Sequence, residues 1–163
     1  MDAKELLIDE FTRIHELYDG LVSDTDAETL NRRPGGGNSM SWLLWHLARV
    51  QDDHLAGITG EDQVWDEWRD RFDLPFGPYE HGYGHTSEQV DAVRIDDPSL
   101  LSGYHQQVHQ ATLAYLDRAD ADELDRIVDR RWDPPVTAGV RLVSVIGDCV
   151  QHLGQAAYAR GLD

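Results

Sequence analysis

Apolar residues recur at helical spacing in four long stretches of this chain, and no stretch alternates long enough to predict a strand. The first runs from about Ala3 to Leu21 behind Asp2 as a cap, with Leu6, Leu7, Phe11, Ile14, Leu17 and Leu21 on one stripe. The second starts after Ser39, carries Met40, Leu43, Leu47, Val50, His54 and Ile58, and ends before Gly60. The third has Asp97 as cap and Pro98 at its first position, and reaches about Asp117 on Leu101, Tyr104, Val108, Thr112 and Tyr115. The fourth covers about Ala138 to Arg160 and stops at Gly161. Its main apolar face is Val143, Ile146, Gly147, Val150, Leu153, Gly154 and Ala157, with further apolar residues around most of its girth, which predicts a helix deep in the fold.

Shorter signals fall between these stretches. A short helix is expected over Asp26–Asn31, before the breaker Pro34-Gly35-Gly36-Gly37-Asn38. Another carries Trp65, Trp68 and Phe72 on one side, and a third opens at the capping box Thr86-Ser87-Glu88-Gln89. Residues 74–86, LPFGPYEHGYGHT, read as a long loop rich in Gly, Pro and aromatics, a length that often carries function. The expectation is one all-α domain over residues 1–163, a four-helix bundle whose longest connection joins its second and third helices.

Charge narrows the function classes. There are 31 acids against 14 bases, a formal charge of −17, which repels phosphate backbones and anionic membranes alike. No apolar run is long enough to span a bilayer, and the acidic, amphipathic start MDAKELLIDEF is unlike a signal peptide, so the expected location is cytoplasmic. Cys149 is the one cysteine, which excludes an internal disulfide and a cysteine zinc cage. Its mid-helix place beside Asp148 reads as a buried structural thiol. With 40% hydrophobic residues and five Trp, the chain has enough apolar material to fold.

The eight histidines are where chemistry is expected, since neutral imidazole is the commonest metal ligand. Asp148 and His152 stand one turn apart on the fourth helix, away from its main apolar face. They read either as two ligands to one cation or as an ordinary helix pair in water. His46 lies at the edge of the second helix's core stripe, as a ligand or as a core histidine, with Asp53 near the same side as an outer partner. His105 and His109 form a rival i, i+4 pair on the third helix, without the glutamate of the metalloprotease signature. His81 and His85 in the loop are candidates for substrate contact. No G-x-S-x-G, P-loop or G-x-G-x-x-G is present, so serine-nucleophile and nucleotide chemistry have no support.

Three segments, SMSWLLWHLARVQDDH, HGYGHTSEQVDAV and RWDPPVTAGVRLVSVIGDCVQHLGQAAYARG, together resemble the DinB-like superfamily. Within it they are most similar to the actinobacterial branch related to the mycothiol-dependent maleylpyruvate isomerase metal-binding domain. The resemblance implies a four-helix bundle holding a divalent metal, zinc foremost and nickel second, on one histidine of the second helix and a carboxylate-x-x-x-histidine of the last. Those positions are His46, Asp148 and His152 here, with Asp where the isomerase has Glu. It further implies a metal-dependent thiol S-transferase or isomerase, with mycothiol as cosubstrate, a small electrophile as substrate and a homodimeric assembly. Arg141 and Gln155, beside the ligands on the last helix, are assigned orienting roles. The alternative is a metal-binding stress or ligand-binding bundle without catalysis. A strong bias for Arg, 13 of 14 bases, agrees with a GC-rich source.

Overall fold

The structure is a computed structural model and describes residues 1–162. Four long helices form the bundle: α1 (Ala3–Ser23), α3 (Met40–Thr59), α6 (Ser99–Arg118) and α8 (Ala138–Arg160). Between them lie α2 (Ala27–Asn31), a 3₁₀ turn (Pro34–Gly36), α4 (Trp65–Phe72), α5 (Ser87–Ala92) and α7 (Ala121–Asp125). Helix α1 packs against α6 and α8, and α3 packs against the same two from the other side. The expected all-α bundle is therefore the observed fold, with α4, the long loop and α5 between α3 and α6.

The helix starts follow from capping. Asp2 and Thr86 close full capping boxes on α1 and α5, Ser39 accepts from Trp42 N at the head of α3, and Thr137 accepts from Val140 N at the head of α8. Helix α3 ends at Gly60 in the left-handed conformation, where a glycine avoids the side-chain clash. Leu44, Trp45 and Leu47 of α3 and Leu101 and Tyr104 of α6 are fully buried in the core. Each large apolar side chain so buried contributes roughly 1.5–3 kcal/mol. Gly103 lets α4 approach α6, since a Cβ there would meet Trp68 at 2.4 Å.

Two sequence expectations need correction. The loop before α8 contains a small antiparallel hairpin, β1 (Ile127–Asp129) with β2 (Val136–Thr137), too short for alternation to reveal. The buried seam of α8 is Ala138, Leu142, Val145, Cys149, Leu153 and Ala156, while Val143 is 62% and Val150 45% exposed. The apolar face read from the sequence is displaced toward solvent because the seam contacting α3 and α1 is narrow, and the helix carries more apolar residues than it buries. Leu6 and Leu17 of α1 are likewise exposed, and Tyr18 takes the buried position. Helix α8 is thus not enclosed, and Asp148 and His152 lie at the border of its buried seam. No helix among the described residues is long and apolar enough to cross a membrane.

Candidate metal centre

His46, Asp148 and His152 each present a ligand atom, all within 4.8 Å of one another; among the described residues this is the one such group of three. His46 comes from the middle of α3 and is 5% exposed, whereas Asp148 and His152 are half-buried, one turn apart on the antiparallel α8. The His46 and His152 rings meet edge to face at 4.8 Å, and Trp42, one turn before His46, stacks on its ring at 4.6 Å.

The tautomers follow from the neighbours. His46 Nδ1 faces the backbone carbonyl of His81, which can only accept, so Nδ1 carries the proton and Nε2 keeps its lone pair. His152 Nδ1 lies 2.8 Å from Gln155 Oε1, an oxygen that also only accepts, so its Nε2 is likewise free, 3.6 Å from Asp148 Oδ1. Metal-ligating histidines are held in this manner, with the outer N–H on an oxygen acceptor. Asp148 Oδ2 is buried without a hydrogen-bond partner. Such an orphan is costly unless something fills it, and a cation beside both Nε2 atoms would do so. The donor set of two imidazoles and one carboxylate suits a divalent metal and leaves a coordination position open.

The charge states of His46 and Asp148 agree with ligand duty, whereas at His152 a metal would compete with a proton. Burial pushes His46 down to about 4, against the partly restoring bond to the His81 carbonyl, so it is neutral at pH 7. Burial would also lower His152, but bonds to Asp148 and Gln155 prevail and raise it. Asp148 is lowered: burial raises it, but the His152 contact and the nearby His46 and His54 outweigh that effect.

The loop holding His81 is fixed by a buried polar network that periodicity does not reveal. Arg49, wholly buried one turn after His46, donates from Nε to the Glu80 carbonyl at 3.2 Å and from Nη1 to Gln63 at 2.7 Å, with its guanidinium 4.7 Å from the Trp65 ring centroid. Asp52 takes Tyr104 Oη at 2.7 Å and caps the start of α4 through Val64 N and Trp65 N. Gly82 then turns at φ +100°, and a Cβ there would meet His46 Nδ1 at 2.7 Å. Gly82→Ala is therefore expected to displace both the His81 carbonyl and the His46 ring. Metal affinity should fall together with resistance of residues 77–85 to proteolysis, read by calorimetry and limited digestion.

The other candidates divide. Gln155 lies beside the three candidate ligands, its Oε1 facing His152 Nδ1. Loss of such an outer partner typically costs 10–100-fold in metal affinity, so Gln155→Leu should weaken zinc by roughly that factor without changing stoichiometry. Arg141 stands seven residues before Asp148, about 10 Å along the helix, bonded to His54 and Asp129 instead. Asp53 pairs with Gln63, so the outer partner of His46 is the His81 carbonyl and not Asp53. His85 accepts from Trp42 Nε1 and plugs a box of Trp45 and Phe76, while the His81 ring accepts from Tyr83 N. His105 and His109 are buried against α1, where His15 Nδ1 reaches His105 Nδ1 at 3.2 Å and stacks on His109. Their ring nitrogens and those of His15 do not form a group of three close enough for one cation. Cys149 is fully buried and its thiol is pushed far up by burial, first, and by Asp148.

Comparison with known proteins identifies the family and agrees with the fold. A crystal structure of a conserved protein from Enterococcus faecalis superposes with a TM-score of 0.90 at 32% identity, covering 98% of this chain and 96% of that one. Among curated proteins, none matches. The sequence profile of the DinB superfamily matches residues 10–156, nine-tenths of the chain, and this protein belongs to that superfamily.

Proposed function

We propose that this protein is a metal-dependent thiol S-transferase or isomerase, with a low-molecular-weight thiol, mycothiol by the resemblance of its motifs, as cosubstrate. The observation that carries the proposal is the convergence of one ligand atom each from His46, Asp148 and His152, with Nδ1 of both imidazoles already facing an oxygen. Zinc is the cation proposed first and nickel second. Bound there, a divalent cation would lower the pKa of a thiol or water in its open position.

The chain's own residues supply the rest. Asp148 and the two imidazoles hold the charge, Gln155 and the His81 carbonyl keep the imidazoles turned inward, and Trp42 gives the pocket an apolar wall. A free thiol near pKa 8.5 is a few per cent ionised at neutral pH, so ionisation alone supports at most a few tens of fold in rate. Any larger acceleration comes from holding the small electrophile beside the sulfur. A cytoplasmic site of action and a homodimer belong to the same proposal, the latter read by light scattering.

The test is conjugation of mycothiol, and of other small thiols, to monochlorobimane. Metal-loaded protein should accelerate it, dipicolinate should abolish the acceleration and zinc should restore it. Activity that survives metal removal would overturn the mechanism. Stoichiometric metal without activity toward any thiol would favour the non-catalytic metal-binding reading.

A further inference from the structure

We propose that the pocket between the second half of α3 and the β1–β2 turn docks the anionic group, a carboxylate or phosphate, of a small-molecule substrate. The pocket has a volume of about 570 Å³, and its polar lining includes His54, Arg130, Arg131 and Arg141. That is within the size range of small-molecule sites, roughly 300–1,000 Å³.

Its charge runs against the rest of the molecule. Three of the chain's 13 arginines line it, against two aspartates, in a protein of net charge −17. Asp129 is already engaged by two arginines, and Asp53 through one of its oxygens. Asp129 accepts from Arg131 N, Nε and Nη2 and from Arg141 Nη2, all within 2.9–3.0 Å, and Asp53 Oδ1 accepts from Gln63 at 2.9 Å. A register shift between Ile127 and Asp129 breaks the β1–β2 ladder where Asp129 meets Arg141, as β-bulges beside functional sites do. Arg130 forms no ion pair among the described residues, and its donors, with Arg131 Nη1, remain free.

His54 adds a neutral donor of fixed orientation. Arg141 Nη1 lies 3.1 Å from His54 Nδ1, and a guanidinium can only donate. His54 Nδ1 is therefore the acceptor, and the proton sits on Nε2. Burial, then the adjacent Arg141, lowers the basicity of His54, which keeps this tautomer at neutral pH. On the arginine side of the pocket the unpaired groups are thus N–H donors, the complement of an oxyanion, while Asp53 keeps one carboxylate oxygen without a partner.

Position gives the pocket its meaning. His54 is eight residues beyond His46 on α3, and Arg141 is seven before Asp148 on the antiparallel α8. Both intervals are two helical turns, about 10–12 Å. An anion held by Arg130, Arg131 and His54, beside Arg141, would place the other end of a small substrate near the three candidate metal ligands. That last step rests on the function proposed above; docking of the anion does not.

The metal-free protein is titrated with succinate and with inorganic phosphate, with neutral succinamide as control, following the Trp132 indole and arginine side-chain NMR signals. Trp132 is exposed and lines the adjoining cleft with His54, Arg131 and Arg141. Saturable shifts with succinate or phosphate, weakened by added salt and absent with succinamide, are expected. Succinate alone would point to carboxylate substrates and phosphate alone to phosphoesters. Arg141→Gln also cuts a tie between the hairpin and α8, so the decisive variant is the double Arg130→Gln/Arg131→Gln at exposed positions. It should weaken anion binding roughly tenfold or more and leave zinc affinity unchanged. Anion binding no tighter than succinamide, or equal in wild type and double variant, overturns the proposal. Anion binding without metal binding would leave this pocket standing and remove the metal-dependent function; metal binding without anion binding would do the reverse.

Discussion

Replacing His152 with alanine should abolish stoichiometric zinc binding while leaving the helical circular dichroism in place. His152 offers one of the three atoms that could hold a metal, and its removal leaves His46 and Asp148 on different helices with no third donor among the described residues close enough to replace it. The loss should exceed the 10–100-fold typical of an outer-shell partner, because a donor is removed and not merely released from its orientation. The fold should survive, since the side chain lies at the edge of the α8 seam and the seam itself is Leu142, Val145, Cys149, Leu153 and Ala156. Removing the imidazole also frees Asp148 from its contact at 3.6 Å, so the metal-free variant should differ little in stability. Equilibrium dialysis with metal analysis reads the first outcome, and urea unfolding the second. If the variant binds zinc as tightly as its parent, the ligand set is wrong, and the buried His105 and His109 become the residues to replace next.

The bundle was legible because its signals are local. Caps at Asp2, Ser39 and Thr86 and the breaks at Gly60 and Gly161 lie within one turn of the ends they mark, and the fourth long stretch, residues 138–160, is bounded as observed. The facing of α8 was not legible. Its apolar residues cover more surface than the bundle buries, so periodicity alone selects Val143 and Val150 over Val145 and Cys149. Only the position of α3 decides between them.

The candidate ligands were legible in part. Asp148 and His152 are one turn apart, a relation that spacing contains, but His46 joins them only through the packing of α3 on α8. The resemblance to a family supplied that link, and the geometry agrees with it. Arg49, the His81 carbonyl and Gly82 carried no such mark. Arginine in a helix reads as surface, a backbone carbonyl has no sequence signature, and Gly82 was one of several glycines in a loop. The cue available was the loop's length and its Gly-rich composition, which pointed to the segment but not to the atom.

Between pH 6.5 and pH 4.5 the metal-free protein should lose several kcal/mol of stability, and a double variant His105→Leu/His109→Gln should flatten that loss. The unfolded chain protonates its histidines near 6.5. In the fold, burial and then the charge of neighbouring histidines hold His105 well below that value, and the same causes bring His109 down to about 4. Burial brings His46 to about 4 as well. These are depressed pKa values on bases, so the sign is fixed: the unfolded state binds more protons in this window. Stability is complete above about 6.5 and falls as pH drops; the contributions of His46 and His109 level off near 4, where those two rings take up protons in the fold too. A histidine held at about 4 costs at most roughly 3 kcal/mol, and about half that where solvent reaches the ring. Asp129 and Glu123 lie outside this window. Hydrogen bonds, first from Arg131 and Arg126 respectively, hold both carboxyls low, Glu123 at about 2, so their contribution is lost only in stronger acid. The variant's absolute stability at pH 7.5 will also change, since His105 stacks on Tyr18 at 3.9 Å and meets His15. The measurement that isolates the charge effect is therefore the slope of unfolding free energy against pH. Near pH 5 the wild type should take up about two more protons on unfolding than the variant, from His105 and His109. An equal slope in both proteins would mean that these two rings accept protons in the folded state, and that the α1–α6 contact tolerates charge.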